Sequence, residues 1–454
     1  MTTRGGVLRV AIVGAGPAGM YAANALMDSG RDVSIDLLER LPAPFGLIRY
    51  GVAPDHPRIK GIVSALHRVL DRPQVRLFGN ITYGKDVDLE TLRRHYDAVV
   101  FATGADTDQE LAMPGVDLSG SHGAADFVAW YDGHPDAPPN WDLDAERVAV
   151  LGVGNVALDV ARVLAKSLDE LLGTDIPDNV AACMRLSRAR EVHVFGRRGP
   201  AQAKFSPLEL RELDHSNNFQ VVVDPADMVL DTHSIAALEQ SKQLQLVVST
   251  LRTWSERQSV DVARTIFLHF FEDPVEVLGR DGRVIGLRTE RTTLDGLGGA
   301  TGTGRFTDWP IESVYRAVGY RSRELRDLPF DPIRAVVPNV GGRVIDRHGV
   351  IVDKVYVTGW IKRGPVGLIG HTKSDANETV TNLLADVEES TDVAEHLDDA
   401  FLKFVRENVV DVTSREGWYR LDAYERRLGA ARGRERIKVV DRERMVSICV
   451  ANRV

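Results

Sequence analysis

The apolar positions gather into short runs, several of which stop at a glycine turn and hand over to a helical stripe. Residues 7–13, broken only by Arg9, form the first run and read as a buried strand of a parallel sheet. The run passes into Gly14-Ala15-Gly16-Pro17-Ala18-Gly19, and Ala22, Ala23, Ala25, Leu26 and Met27 then continue with helical character. In this strand–turn–helix setting a G-x-G-x-x-G motif has a mechanism. Gly14 permits the tight turn, Gly16 lets the backbone approach a pyrophosphate, and Gly19 lets helix and strand pack closely. The pyrophosphate rests on the N–H groups at the positive end of the helix. The next run, Val33–Glu39, closes on an acid, where a carboxylate accepts hydrogen bonds from ribose hydroxyls.

The pattern recurs further on. Arg147–Leu151 is a second buried run, and it feeds Gly152-Val153-Gly154-Asn155-Val156-Ala157, a G-x-G-x-x-A turn. Leu158, Val160, Ala161, Val163 and Leu164 carry the helix onward. The strand after it, residues 191–195, ends in Gly196-Arg197-Arg198-Gly199. Where the first unit has an acid, this one has two guanidinium groups, which bind a 2′-phosphate that an acid would repel. The first turn therefore suits a 2′-hydroxyl dinucleotide such as FAD, and the second suits NADPH over NADH. The predicted fold is α/β, with two Rossmann-like dinucleotide-binding domains.

Other segments fill in this frame. Residues 40–60 are rich in Pro and Gly, carry Phe45, Leu47, Ile48 and His56, and read as a loop covering the first cofactor. Residues 75–83 and 96–104 are strands, the latter ending in A-T-G. Residues 205–213 form a short helix with Glu209 and Glu212, residues 226–250 are helical and then extended, and residues 265–272 are a strand broken by Asp273-Pro274. Residues 294–305 are a Gly/Thr-rich hairpin tip, and residues 313–319 form a strand that returns the chain to the first domain. Residues 355–359 run as a strand into the glycine-rich loop from Trp360 to Gly370, with a helix over 372–385. Residues 386–400 read as an acidic connector. The last ~70 residues are charged and helical and carry no chemistry of their own by this reading.

Composition narrows the class. At 454 residues, 44% hydrophobic and 27% charged, the chain has room for two or three domains with sizeable cores. No apolar run approaches the ~18–20 residues of a membrane span, and MTTRGG leads into the first strand without a signal-peptide pattern. Two cysteines, Cys183 and Cys449, exclude a disulfide framework and a four-thiolate iron–sulfur cluster, and a cytoplasmic setting is expected. No metal site is expected. A net charge of −9 argues against nucleic acid as a general partner.

Taken together, VAIVGAGPAG, LPAPFGLIRYGVAPDHPRIK, ATGAD, GVGNVALDVARVL, VFGRRGPAQAKFSPLELREL and VTGWIKRGPVGLIG resemble the adrenodoxin reductase family of NADPH–ferredoxin reductases, in its stand-alone actinobacterial form. The resemblance spans residues 10–370 and implies an NADPH domain (107–332) inserted into a discontinuous FAD domain (1–106 plus 333–454). It implies that Gly14, Gly16, Ala18, Gly19, Glu39, Leu47, Tyr83, Trp360, Gly367, Leu368 and Ile369 touch FAD. It implies that Gly152, Gly154, Asn155, Val156, Ala157, Arg197, Arg198 and Glu209 touch NADPH, with Gly367 near the nicotinamide. His56 and Glu212 match a polar pair near the flavin–nicotinamide contact, with proton-handling or tuning roles. Two positions depart from the family: Gln109 stands where some relatives have an arginine reaching NADP, and Ala18 where some have serine.

The implied reaction passes hydride from NADPH to flavin N5 and then single electrons to an acidic iron–sulfur ferredoxin. Arg185, Arg188, Arg190, Arg211, Arg252 and Arg257 are candidates for a basic docking face. Two other functions fit the same motifs: an NADPH-dependent flavoprotein with a quinone or small-molecule acceptor, and a non-catalytic FAD/NADP redox sensor. A disulfide reductase would need a cysteine pair in the FAD domain, which is absent.

Overall fold

Alternation along the first strand shows how its sheet comes to be covered on both sides. In Leu8–Val13, Val10 and Ile12 join an apolar cluster with Met20, Leu26, Leu66, Leu383 and Trp418. Ala11 and Val13 join the opposite cluster with Leu92, Phe101, Val357 and Phe401. A strand with two apolar faces is stable only between two layers of helices. The computed structural model describes residues 6–214, 216, 218–258, 260–367, 369–389 and 400–451. They divide into two units, one drawn from Met1–Thr107, Asp132–Asp136 and Tyr320–Val454, the other from Asp108–Tyr131 and Ala137–Gly319.

The first unit holds a seven-stranded sheet, ordered Asn339–Val340, Arg343–Ile345, Ile351–Val357, Ala98–Phe101, Leu8–Val13, Val33–Glu39 and Val75–Gly79. The last five strands in that order are parallel; the first two add as an antiparallel edge. Leu8–Val13 lies between Ala98–Phe101 and Val33–Glu39, so the strands that follow it in the chain are added first on one side of it and then on the other. In such sheets the point of reversal, at the carboxyl ends, is where ligands bind.

The second unit holds a six-stranded parallel sheet, ordered Ser121–Gly123, Ser313–Arg316, Arg147–Leu151, Glu191–Gly196, Arg264–Phe270 and Phe219–Val223. Arg147–Leu151 has the corresponding inner position. One face of this sheet packs through Ala149, Leu151, Phe195 and Val314 onto Val277, Val284 and Leu287 of a three-stranded antiparallel sheet, Glu272–Arg280, Arg283–Leu294 and Ala300–Trp309. No helix among the described residues is long and apolar enough to cross a membrane.

Several expectations are corrected. The 313–319 run does not return the chain to the first unit: Ser313–Arg316 pairs in parallel with Arg147–Leu151 of the second sheet. The return comes at Tyr320 rather than at residue 333, because Leu325, Leu328 and Phe330 pack into the apolar cluster of the first unit. The segment expected to turn extended before residue 250 is the helix Lys242–Ser255, whose Val247, Val248, Leu251 and Trp254 are buried at helical spacing. The strand expected over 265–272 ends at Phe270, before Phe271 at φ +57°, and Asp273-Pro274 lie inside the next strand, Glu272–Arg280, where a register shift between Pro274 and Glu276 absorbs the proline. The hairpin tip is confined to residues 295–299, and Ala300–Trp309 is already strand.

On the second sheet His193 and His269 face each other from neighbouring strands, Nδ1 to Nε2 at 2.9 Å, stacked among Phe195, Phe267 and Trp309. Burial pushes the His269 imidazole down to about 3, helped by neighbouring His193 and Arg291, and burial likewise lowers His193. Unfolded histidine titrates near ~6.5, so below that pH the unfolded chain takes up protons that the folded one refuses. The stabilising contribution is complete above that value and is lost as pH falls toward the folded values. Urea unfolding between pH 7 and pH 5 is expected to show stability declining with a slope of up to about 1.4 kcal/mol per pH unit for each such proton. His269→Phe should flatten that slope, and an unchanged slope would contradict the assignment.

Candidate functional site

In the first unit the glycine turn is built against bare backbone. Gly14 has φ +110°, and a Cβ on it would lie 2.5 Å from the Ala102 carbonyl oxygen of the A-T-G strand end. A Cβ on Gly19 would lie 2.0 Å from the Gly14 carbonyl oxygen. The helix Pro17–Asp28 starts at Gly16 with no side-chain cap and proline in its first turn, which leaves its N-terminal donors for another acceptor. A Cβ on Gly16 would meet only the Gly46 Cα, at 3.9 Å, so the 40–60 loop passes directly over the turn, and Leu47 follows at the start of the helix Leu47–Tyr50. The Phe45 N–H donates to the Ala15 carbonyl at 2.9 Å.

Glu39 is buried at the end of its strand. Its carboxylate accepts from the Ala15 N–H and from the Leu41 N–H, each at 3.0 Å. Burial raises its pKa, and these two backbone donors pull it part of the way back. Tyr83, held edge-on to Phe101, donates to the Arg326 carbonyl at 2.8 Å.

The far end of the chain reaches the same turn. A Cβ on Gly359, φ +77°, would lie 2.6 Å from the Ala18 Cβ, so the loop carrying Trp360 crosses the start of the first helix. Trp360 is half-buried with its ring 5.8 Å from that of Tyr320. Gly367 is exposed at φ +88°. Leu368 lies outside the described residues, and Ile369 opens the helix Ile369–Glu389. His56 is buried at the start of Pro57–Lys60, where its carbonyl accepts from the Lys60 N–H at 3.1 Å.

The second unit repeats the turn. Gly152 has φ +130°, and a Cβ on it would lie 2.3 Å from the Ala317 carbonyl oxygen. The helix Asn155–Ala165 starts at Gly154 without a side-chain cap, and a Cβ there would meet nothing within 4 Å. The Asn155 side-chain oxygen accepts from the Ser206 N–H at 2.9 Å, tying the turn to the helix Pro207–Leu213. Val156 is half-buried and Ala157 fully buried, on the inner face of the helix. Glu209 is buried beside Arg162, 3.5 Å away, and Arg162 is bound to Asp159 at 2.6 Å. Glu212 is half-buried on the same helix as Glu209. It belongs to the second unit, whereas His56 belongs to the first.

Arg197 is exposed and Arg198 half-buried at the end of Glu191–Gly196. Their backbones are fixed by hydrogen bonds from Thr292 Oγ1 to the Arg197 carbonyl, 2.7 Å, and from the Phe271 N–H to the Arg198 carbonyl, 3.1 Å. Arg198 also donates from Nη1 to the Gly298 carbonyl at 3.0 Å. All six candidate docking arginines are exposed. Two of them already hold acids: Arg188 pairs with Glu146, and Arg257 with Asp214 at 2.7 Å.

Sequence reasoning missed the ionic supports of both turns. Asp375 accepts from the Gly359 N–H at 2.5 Å and from Thr358 Oγ1 at 3.1 Å, while the buried Lys362 ammonium sits 3.0 Å from it. Nothing local pairs Lys362 with Asp375. Arg162 and Asp159, by contrast, are three apart on one predicted helix, a spacing that could have been noticed. Both dinucleotide turns pass a simple fit test: uncapped helix starts, glycines that no side chain could replace, and open space above Gly154 suit a diphosphate.

The pyridine nucleotide-disulphide oxidoreductase family pattern matches residues 8–194. The chain is 39% identical over 457 residues to NADPH-ferredoxin reductase FprA of Mycobacterium tuberculosis, covering 97% of this chain and 98% of that one. It is 37% identical to the mitochondrial NADPH:adrenodoxin oxidoreductase of Bos taurus, covering 97% and 92%. The solved structure of M. tuberculosis FprA in complex with NADPH matches with a TM-score of 0.90 at 37% identity, over 98% of this chain and 100% of that one. The two cysteines belong to different units, Cys183 to the second and Cys449 to the first, and no disulfide joins them.

Arg162 has a stabilising role that can be measured. Replacing it in Arg162→Met leaves the Asp159 and Glu209 carboxylates buried without their shared cation. Urea unfolding is expected to show a loss of about 3–5 kcal/mol.

Proposed function

The chain belongs to the adrenodoxin reductase family of NADPH–ferredoxin reductases, and we propose that it is an FAD-dependent enzyme that moves electrons from NADPH to an iron–sulfur ferredoxin. One observation carries the assignment of the two nucleotides: equivalent strand ends hold opposite charge, Glu39 in the first unit and Arg197 with Arg198 in the second. A buried carboxylate suits ribose hydroxyls and repels a phosphate, whereas a pair of guanidinium groups favours one.

In this reading Gly16, Ala18 and Gly19 hold the FAD pyrophosphate on backbone N–H groups, Gly14 shapes the turn with its own N–H given to the Leu38 carbonyl, and Glu39 orients the ribose. Leu47, Tyr83, Trp360 and Gly367 wall the flavin from water. Gly152, Gly154, Asn155, Val156 and Ala157 form the seat of the NADPH pyrophosphate, and Arg197 and Arg198 clamp its 2′-phosphate. Glu209 shapes that seat from beside Arg162, the cation it shares with Asp159. His56 and Glu212 carry the proton-handling roles. Bound FAD supplies the conversion of a hydride donor into a source of single electrons, chemistry that no side chain here offers. The protein contributes position, charge and exclusion of water.

The partner we infer is an acidic ferredoxin, steered by the exposed arginines of the second unit, and the setting we infer is cytoplasmic. The names of the relatives support a ferredoxin partner, and the count of two cysteines supports a reducing compartment.

The double substitution Arg197→Ala, Arg198→Ala removes charge-assisted hydrogen bonds worth about 1.5–3 kcal/mol each. Steady-state kinetics should show the NADPH KM rising roughly tenfold or more with the NADH KM little changed. Equal effects on both nucleotides would refute the 2′-phosphate assignment. NADPH-driven cytochrome c reduction should depend on added ferredoxin, and its rate should fall as salt shortens the ~8–10 Å screening length. A rate indifferent to ferredoxin would favour a small-molecule acceptor.

A further inference from the structure

The chain's last described segment, residues 400–451, takes no part in the reading above, yet it grips the loop that lies over the first glycine turn. Thr413 pairs its backbone with Gly79, N–H to carbonyl at 2.9 and 2.8 Å, and its hydroxyl donates to the Pro42 carbonyl at 3.1 Å. Arg442 donates to the Arg40 carbonyl at 3.1 Å. The buried Lys438 ammonium donates to the Arg49 carbonyl at 3.0 Å and to Asp132. Glu425, fully buried on the helix Arg415–Ala430, binds the Arg49 guanidinium at 2.5 Å.

Arg49 lies on the short helix Leu47–Tyr50, inside the covering loop. Its guanidinium sits over the Tyr50 ring at 5.1 Å and the Trp418 ring at 5.3 Å. Burial works against its charge, but the Glu425 carboxylate more than compensates and raises its pKa. Trp418 in turn meets Phe45 edge-on at 5.7 Å. Phe45 holds φ +85°, a left-handed backbone that a non-glycine residue keeps only when its surroundings impose it. The Phe45 N–H is the group bonded to the Ala15 carbonyl of the turn. Contacts thus run unbroken from Glu425 through Arg49, Trp418 and Phe45 to the seat of the pyrophosphate. Glu425 also accepts from the Val439 N–H at 2.9 Å and faces Arg436 at 3.4 Å, so its own position is fixed from both sides.

We propose that Glu425 is a positioning residue for the flavin: through Arg49 it presses the 40–50 loop onto the first glycine turn, so that FAD retention is set from the C-terminal helix. This rests on the first unit holding FAD. Removing the carboxylate leaves a buried guanidinium without its partner and frees the loop to leave the turn.

The test compares full-length wild type, Glu425→Gln, Glu425→Asp and Asp386→Asn. Asp386 holds Arg343 at 2.6 Å and the Tyr356 hydroxyl at 2.9 Å in the same unit without touching the loop, which makes it a control for lost stability. FAD affinity is read by flavin fluorescence, the flavin environment by visible circular dichroism, and fold stability by Tm. Glu425→Gln should weaken FAD binding about tenfold or more, equivalent to about 1.4 kcal/mol, and alter the visible dichroism. Glu425→Asp should restore part of both. Asp386→Asn should lower Tm with FAD affinity within about twofold of wild type. Should Glu425→Gln fail to fold, Arg49→Lys keeps the charge but loses the guanidinium geometry, and it should show the same changes in milder form. Wild-type affinity and dichroism in the Glu425 or Arg49 variants would overturn the proposal alone. Wild-type protein with no affinity for FAD would overturn the cofactor reading on which it stands.

Discussion

At each of the two glycine turns the backbone touches backbone. A Cβ on Gly14 would collide with the Ala102 carbonyl, and one on Gly152 with the Ala317 carbonyl. In both cases the colliding oxygen follows the strand next to the central one, Ala98–Phe101 in the first sheet and Ser313–Arg316 in the second. The turn can therefore form only where a neighbouring strand ends at the same level. That requirement links the local motif to the sheet order, because it puts the turn at the reversal point where a ligand finds helix N–H groups and no side chains.

Charge then distinguishes the two units. Burying Glu39 is unfavourable for the carboxylate, as its raised pKa records, and the Ala15 and Leu41 N–H groups recover part of that loss. The same two bonds couple the acid to the turn before it and the loop after it. In the second unit Arg197 is exposed and Arg198 half-buried, with their backbones fixed by Thr292 of the antiparallel sheet and by Phe271 just before it. A buried acid suits neutral hydroxyls, and a pair of guanidinium groups suits a dianion.

The first unit is held together by contacts remote in sequence. Gly359 lies against Ala18, and Asp375 and Lys362 fix the loop that brings Trp360 there. Glu425 reaches Arg49, and Thr413 extends the pairing at Gly79. Buried ion pairs of this sort add little net stability over apolar packing, but breaking one is costly, so they specify a single arrangement of the loops they join. The segment that looked chemically silent as sequence is what fixes the loop over the site.

The two strand–turn–helix units, the acid after one, the arginines after the other and the general α/β class were determined by the sequence alone. Each depends on neighbours within a few residues: unbroken apolar runs, glycine spacing, and the charge that ends the next strand. The membership of the 313–319 strand, the return at Tyr320, the support of Gly359 by Asp375 and the grip of Glu425 on Arg49 were decided only by the tertiary structure. A buried strand reads the same whichever sheet it joins, and an ion pair between residues far apart leaves no spacing to detect. What selects the partner in these cases is the shape of the surrounding core, which exists only once the chain has folded.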